Sequence, residues 1–173
     1  MQIRKAELKD FDQVMAIMQD GRNQLAESGI DQWQGDYPNP DHVRQDIENG
    51  YAYLAKADDG ETVGTLTIIP APDHAYDQLD GHWQVDTNDY VTIHRVAIHS
   101  DHTGHGYASQ LYQAVINYFT SSFNDIKSVR VDTHEDNLPM QHLIEKSGFK
   151  RVGTLHGVYR ENETSYVYEL LTV

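Results

Sequence analysis

Ten histidines and no cysteine in 173 residues exclude thiolate chemistry and disulfides and leave imidazole as the group that can move protons near neutral pH. His94 interrupts the run Tyr90-Val91-Thr92-Ile93, which is otherwise apolar or β-branched. A neutral imidazole held there can take a proton directly or through water, an effect worth roughly a hundred- to ten-thousand-fold in rate. The competing reading is a buried histidine that bonds a neighbour. His134 stands at the end of a second such run, two residues after Asp132, which could orient it or hold a substrate ammonium. His99, His102 and His105 are evenly spaced, but they run through a strand end and a loop, with no cysteine and no second ligand pair beside them. No metal is expected.

Between Tyr90 and Phe119 the chain reads as a strand, a glycine loop and a helix in succession. Ala108, Leu111, Tyr112, Val115, Ile116 and Phe119 recur at spacings of three and four, one apolar stripe on a helix. The first turn of a helix leaves backbone N–H groups unpaired and carries partial positive charge. Gly104 and Gly106 remove the Cβ atoms that would keep an anion away. A phosphate cradle is expected. A nucleoside-triphosphate loop would end in Gly-Lys-Ser/Thr, whereas Gly106 is followed by Tyr107 and Ala108; a dinucleotide fingerprint would have glycine where Ser109 stands.

Thr103-Gly104-His105-Gly106-Tyr107-Ala108 resembles the pyrophosphate-binding motif Arg/Gln-x-x-Gly-x-Gly/Ala of the GNAT N-acetyltransferase superfamily, with Thr103 in the place of Arg or Gln. Asn137 to Phe149 resembles that family's Asn-initiated helix ending in Gly-Phe, with Ile144 where a tyrosine often protonates the departing thiolate. The resemblance covers about the C-terminal half of the chain. It implies acetyl-CoA as cosubstrate, with its pyrophosphate on the backbone of Thr103, Gly104, His105, Gly106, Tyr107 and Ala108. Its pantetheine arm would lie along the main chain of Val96, Ala97 and Ile98 and near Asn137. On that reading His94 is the first candidate for the base, His134 the rival, and Asp132 a holder of the ammonium. The implied fold is α/β (α+β), a mixed, mainly antiparallel sheet with a splayed central parallel strand pair and helices on both faces. The implied activity is acetyl transfer to a primary amine of a small molecule or peptide. The alternatives are a CoA-binding sensor that has lost chemistry, or an acyltransferase using another acyl group or acceptor.

A chain of this length is expected to form one domain, residues 1–173. The net charge of −14 with neutral histidines disfavours nucleic acid and favours a cationic amine or a basic peptide, unless the acidity serves solubility alone. No run approaches a membrane span, and the start Met1-Gln2-Ile3-Arg4-Lys5-Ala6-Glu7 does not read as a secretory signal, so a cytoplasmic protein is expected. Pairing as a homodimer is open to it.

In chain order, the pattern predicts a strand at 3–6, helices at 7–20 and about 22–28, and an irregular segment at 30–40. Trp33 and Tyr37 in that segment either line an amine pocket or cover the core edge. Asp41 is expected to cap a helix closed by Gly50, and Asp58-Asp59-Gly60-Glu61 to join two strands in a hairpin. Residues 71–89 show no clear period and read as a flap over the acceptor site, or as an extra turn of helix with a strand. A strand at 128–133 parallel to 91–99, a helix at 137–146 capped by Asp136, and an antiparallel pair at 149–154 and 164–171 complete the sheet.

Overall fold

The computed structural model describes residues 1–30, 32, 33, 38–121 and 125–172. Tyr37, the second acceptor-pocket candidate, lies outside the described residues. Backbone contacts divide the chain into two units, Met1–Ile68 with Arg95–Ala114, and Ile69–His94 with Val115–Val173.

In the first unit β1 (Gln2–Lys5) pairs antiparallel with β2 (Ala52–Lys56), and β2 with β3 (Thr62–Pro70). The hairpin expected at Asp59-Gly60 is present. Ala57 N donates to Glu61 O at 2.8 Å, and Gly60 takes the positive φ of 91° that such a turn requires. The two helices expected before residue 28 are one, α1 (Phe11–Glu27), preceded by a 3-10 turn at Leu8–Asp10. Gly21 does not break it, because the glycine is a packing point. A Cβ there would stand 3.1 Å from the Ala97 Cβ and 3.2 Å from the Trp33 ring.

Asp10 does not cap α1 with its side chain. Its carboxylate accepts from Arg4 at 2.9 and 3.0 Å and from Glu7 N, and the Arg4 hydrogen bonds, which outweigh burial, hold it down at about 2. α2 (Pro40–Glu48) is capped by Asn39, whose Oδ1 accepts from His42 N at 3.0 Å, rather than by Asp41. Proline at the first helical position fixes the start two residues earlier than expected. Val14, Ile17, Met18, Val43, Ile47, Leu54 and Ala97 form this unit's core.

The second unit holds β4 (Asp80–Gly81), the start of β5 (Tyr90–Ile98), β6 (Ser128–His134), β7 (Lys150–His156) and β8 (Thr164–Leu171), hydrogen-bonded in the order β5-β6-β8-β7-β4. β5 and β6 run parallel, Tyr90–Ile93 in register with Ser128–Val131, and the other pairs of this unit are antiparallel. Among the described residues the result is a mixed α/β fold of eight strands, mostly antiparallel with one parallel pair, together with α1, α2, α3 (Tyr107–Ser121) and α4 (Leu138–Lys146). Asn137 rather than Asp136 caps α4, accepting from Met140 N at 3.2 Å, and Gly148 with φ 101° ends it.

Residues 71–89 become a 3-10 turn, His74–Gln78, followed by the two-residue β4 on the edge of β7. Tyr76, Tyr90, Leu155 and Val167 form the apolar cluster beneath them. Arg130 lies on the polar face of β6 as its alternation requires, yet it is buried, ion-paired to Glu169 at 3.2 Å.

Candidate active site

The glycine loop lies in the first unit. Asp20 on α1 anchors its start, accepting from Ser100 N at 2.8 Å, Ser100 Oγ at 2.6 Å and Gln24 Nε2 at 2.6 Å. Burial pushes the Asp20 carboxyl up, but the Ser100 and Gln24 bonds outweigh it and hold it below the ordinary range. Ser100–His102 makes a 3-10 turn, and Thr103 folds back on it, Oγ1 donating to Ser100 O at 3.0 Å. Gly104 and Gly106 follow at φ 84° and 74°, and α3 begins at Tyr107. At neither glycine would an added Cβ meet any atom within 4 Å, so the space above the loop is open.

A helix starting at Tyr107 has no intrahelical acceptor for its first amides. Open space, glycine backbone and a helix N-terminus fit the pyrophosphate of a CoA thioester. The ring of Tyr107 lies 5.6 Å from that of His105 and 6.3 Å from that of His102. In β5, Val96 and Ile98 are half-buried and Ala97 is buried. The Ile98 carbonyl already accepts from Gln24 at 2.8 Å. Gly64 of β3 lets the Ala97 carbonyl come close, since a Cβ there would sit 2.6 Å from its oxygen. Trp33, at φ 62°, packs on the apolar cluster at Gly21.

The second unit holds the candidate base His94 and its rival His134. His94 Nε2 is 2.8 Å from Asp73 Oδ2. Burial pushes Asp73 up, but the hydrogen bond and charge of His94 outweigh it and hold the carboxyl below its ordinary range. An ionised carboxylate only accepts, so Nε2 donates the hydrogen of this bond. Asp73 Oδ1 caps the 3-10 turn, accepting from Ala75 N at 3.1 Å.

Asp132 Oδ1 accepts from Tyr76 Oη at 2.8 Å and from the exposed Tyr159 at 3.2 Å. Burial raises the Asp132 carboxyl, and the charge of His94 and the two phenols only partly offset it. Tyr76 is in turn driven well above the ordinary phenol value, by burial first and then by the Asp132 charge.

His134 is not oriented by Asp132 in this way. Its Nδ1 accepts from Asp136 N at 3.0 Å, which occupies the lone pair a base would use. Asn137 spends its carboxamide oxygen on the α4 cap, and Ile144 is fully buried. Sequence reasoning did not single out Asp73, Tyr76, Tyr90 or Tyr159. An acid placed before a helical turn is the only signal Asp73 gives, and nothing links it to a histidine 21 residues on.

The sequence matches the model of the Acetyltransferase (GNAT) family over residues 19–149. A GNAT-family acetyltransferase from Streptococcus agalactiae is 32% identical, with 98% of this chain and 94% of that one aligned at a TM-score of 0.86. Spermidine N-acetyltransferase from Vibrio cholerae, in complex with CoA and spermine, is 16% identical and aligns over 99% and 95% at a TM-score of 0.71. A ribosomal-protein-alanine N-acetyltransferase from Brucella melitensis is 18% identical and aligns over 99% of each chain at 0.69. No curated protein sequence matches. The chain belongs to the GNAT acetyltransferase family. Among the described residues no helix is long and apolar enough to cross a membrane, and no three His, Cys, Asp or Glu side chains are grouped to hold a metal.

Proposed function

We propose that the protein transfers the acetyl group of acetyl-CoA to a primary amine of a small molecule or peptide, in the cytoplasm. One observation carries the reading: the His94–Asp73 pair at 2.8 Å stands two residues ahead of Val96 in the same strand. Bound acetyl-CoA supplies a thioester as acyl donor. Thr103 to Ala108 grip its pyrophosphate through backbone amides, and Val96, Ala97 and Ile98 lie along the arm.

On this reading Asp132 accepts from the incoming ammonium, sharing it with the Tyr76 and Tyr159 hydroxyls. His94 Nδ1 takes a proton from the ammonium directly or through water, and Asp73 stabilises the resulting imidazolium. Because Ile144 fills the family's tyrosine position, the thiolate takes its proton from another group or from water.

The buried Ile144 favours one alternative, a CoA-binding sensor without chemistry. Release of CoA thiol is measured against a panel of amines that includes spermine, with acetyl-, succinyl- and longer acyl-CoA as donors. Thiol release dependent on an amine, falling roughly a hundredfold or more in His94→Ala while CoA still binds, is expected. CoA binding without release under any pairing means a sensor, and full turnover in His94→Ala removes the base assignment.

A further inference from the structure

Behind the His94–Asp73 pair the second unit carries a buried ion pair that acetyl transfer does not itself use. The guanidinium of Arg130 is held between two rings, 3.7 Å from Trp83 and 3.9 Å from Tyr90. Its Nε donates to Glu169 Oε2 and to Ser128 Oγ, both at 3.2 Å, and its Nη2 to Val85 O at 3.3 Å. Glu169 is fully buried and also accepts from Gln84 N at 2.6 Å and Ser128 Oγ at 2.7 Å. Tyr90 faces Asp73 at its other end, its hydroxyl oxygen accepting from Asp73 N at 2.8 Å, and its carbonyl accepts from Ala71 N at 3.1 Å.

Residues 71–89, which lack any strong helix or strand of their own, are thereby fastened at both ends to one tyrosine and one arginine. A buried ion pair adds little net stability over an apolar replacement, because both charges must be desolvated. It does fix geometry. Proton transfer is the step where geometry counts, since a displacement of about 1 Å can cost on the order of a hundredfold.

We infer that Tyr90 and Arg130 are positioning residues for the base, Tyr90 holding the Asp73 backbone and the Arg130 clamp holding Tyr90, so that Asp73 keeps His94 in one orientation. The inference rests on the proposed role of His94. Asp73 is fixed through its N–H, its Oδ1 and its Oδ2 at once, by Tyr90, Ala75 and His94, and loss of the first contact frees the carboxylate to swing.

Tyr90→Phe keeps the ring over Arg130 and removes only the hydroxyl. The expected result is a kcat reduced roughly three- to tenfold, the equivalent of one neutral hydrogen bond, with KM for acetyl-CoA unchanged. In the imidazole 1H–15N spectrum of the free protein the His94 Nε2 proton should lose its protection from exchange. The double variant Arg130→Met with Glu169→Leu removes both charges together, leaving no lone buried ion. It should reproduce the kcat loss while its Tm stays close to wild type. Wild-type kcat in Tyr90→Phe overturns the inference, as does an unchanged His94 signal. Full turnover in His94→Ala instead removes the base assignment alone, and the Nε2 signal then decides whether Tyr90 anchors the pair.

Discussion

A carboxylate that accepts two phenol hydroxyls and is pushed up by burial stands between two states, and Asp132 is in that position. Charged, it can take an ammonium; protonated, it cannot. Because its pKa in the fold is raised, the ability to hold an amine should fail on acidification before the ordinary carboxylate range is reached. Asp132→Asn should raise KM for the amine roughly ten- to hundredfold, the loss of one charged hydrogen bond, with KM for acetyl-CoA unaltered. It should also remove the acid-side rise in amine KM measured across about pH 5 to 8. The linkage runs the same way. A raised carboxyl costs the fold stability in full above its folded pKa; the cost shrinks as pH falls through that value and is gone only below the unfolded one, so the asparagine variant should melt higher at neutral pH. An unchanged amine KM would remove Asp132 from the acceptor site. His94 and Asp132 were legible because a polar side chain in an apolar strand is conspicuous. Asp73 was not, since its partner is 21 residues away and its own surroundings carry no period.

Among the elements, β5 has the narrowest tolerance. Its residues Tyr90–Ile93 pair with β6, and Arg95, two residues on, takes φ 51°, a left-handed conformation that costs about 1–2 kcal/mol in a residue with a Cβ. The Arg95 Nη1 to Asp46 Oδ2 contact at 3.1 Å, itself within the first unit, helps to hold that turn of the backbone. Next comes the close approach of Ala97 to Gly64. In Gly64→Ala either β3 or β5 has to shift, so a loss of about 1–3 kcal/mol in thermal unfolding is expected, together with weaker CoA binding in calorimetry. A variant that binds CoA like wild type would show that residues 96–98 do not carry the arm. The strands, the hairpin turn and α3 could be read from residue pattern because each obeys a local rule. The continuity of α1 through Gly21 could not, because it depends on Ala97 and Trp33 beside that glycine. The 3-10 turn and β4 within 71–89 are too short to show any repeat. Their places are set by Arg130 and Glu169, which are distant in sequence, and by Tyr90 at the start of β5.

For the whole molecule the net charge of −14 sets the two substrates against each other. On the proposed function CoA would arrive as a polyanion at a loop with no lysine or arginine between Ser100 and Ala108. Attraction there comes from the helix N-terminus, on the order of 1 kcal/mol per well-placed anion, and from whatever charge His102 and His105 carry. That is short-range, whereas repulsion from the remaining carboxylates acts over a Debye length. An amine meets the reverse: a negative field that draws it in and an acidic pair, Asp73 and Asp132, near the base. Raising ionic strength from about 0.01 M to about 0.15 M shortens the Debye length from about 30 Å to about 8 Å. KM for acetyl-CoA should therefore fall as salt is added, while KM for a cationic amine rises. Initial rates measured in potassium chloride with each substrate varied in turn separate the two. A KM for acetyl-CoA that rises with salt alongside that of the amine would mean that local positive charge, not backbone amides in an acidic surround, holds the pyrophosphate.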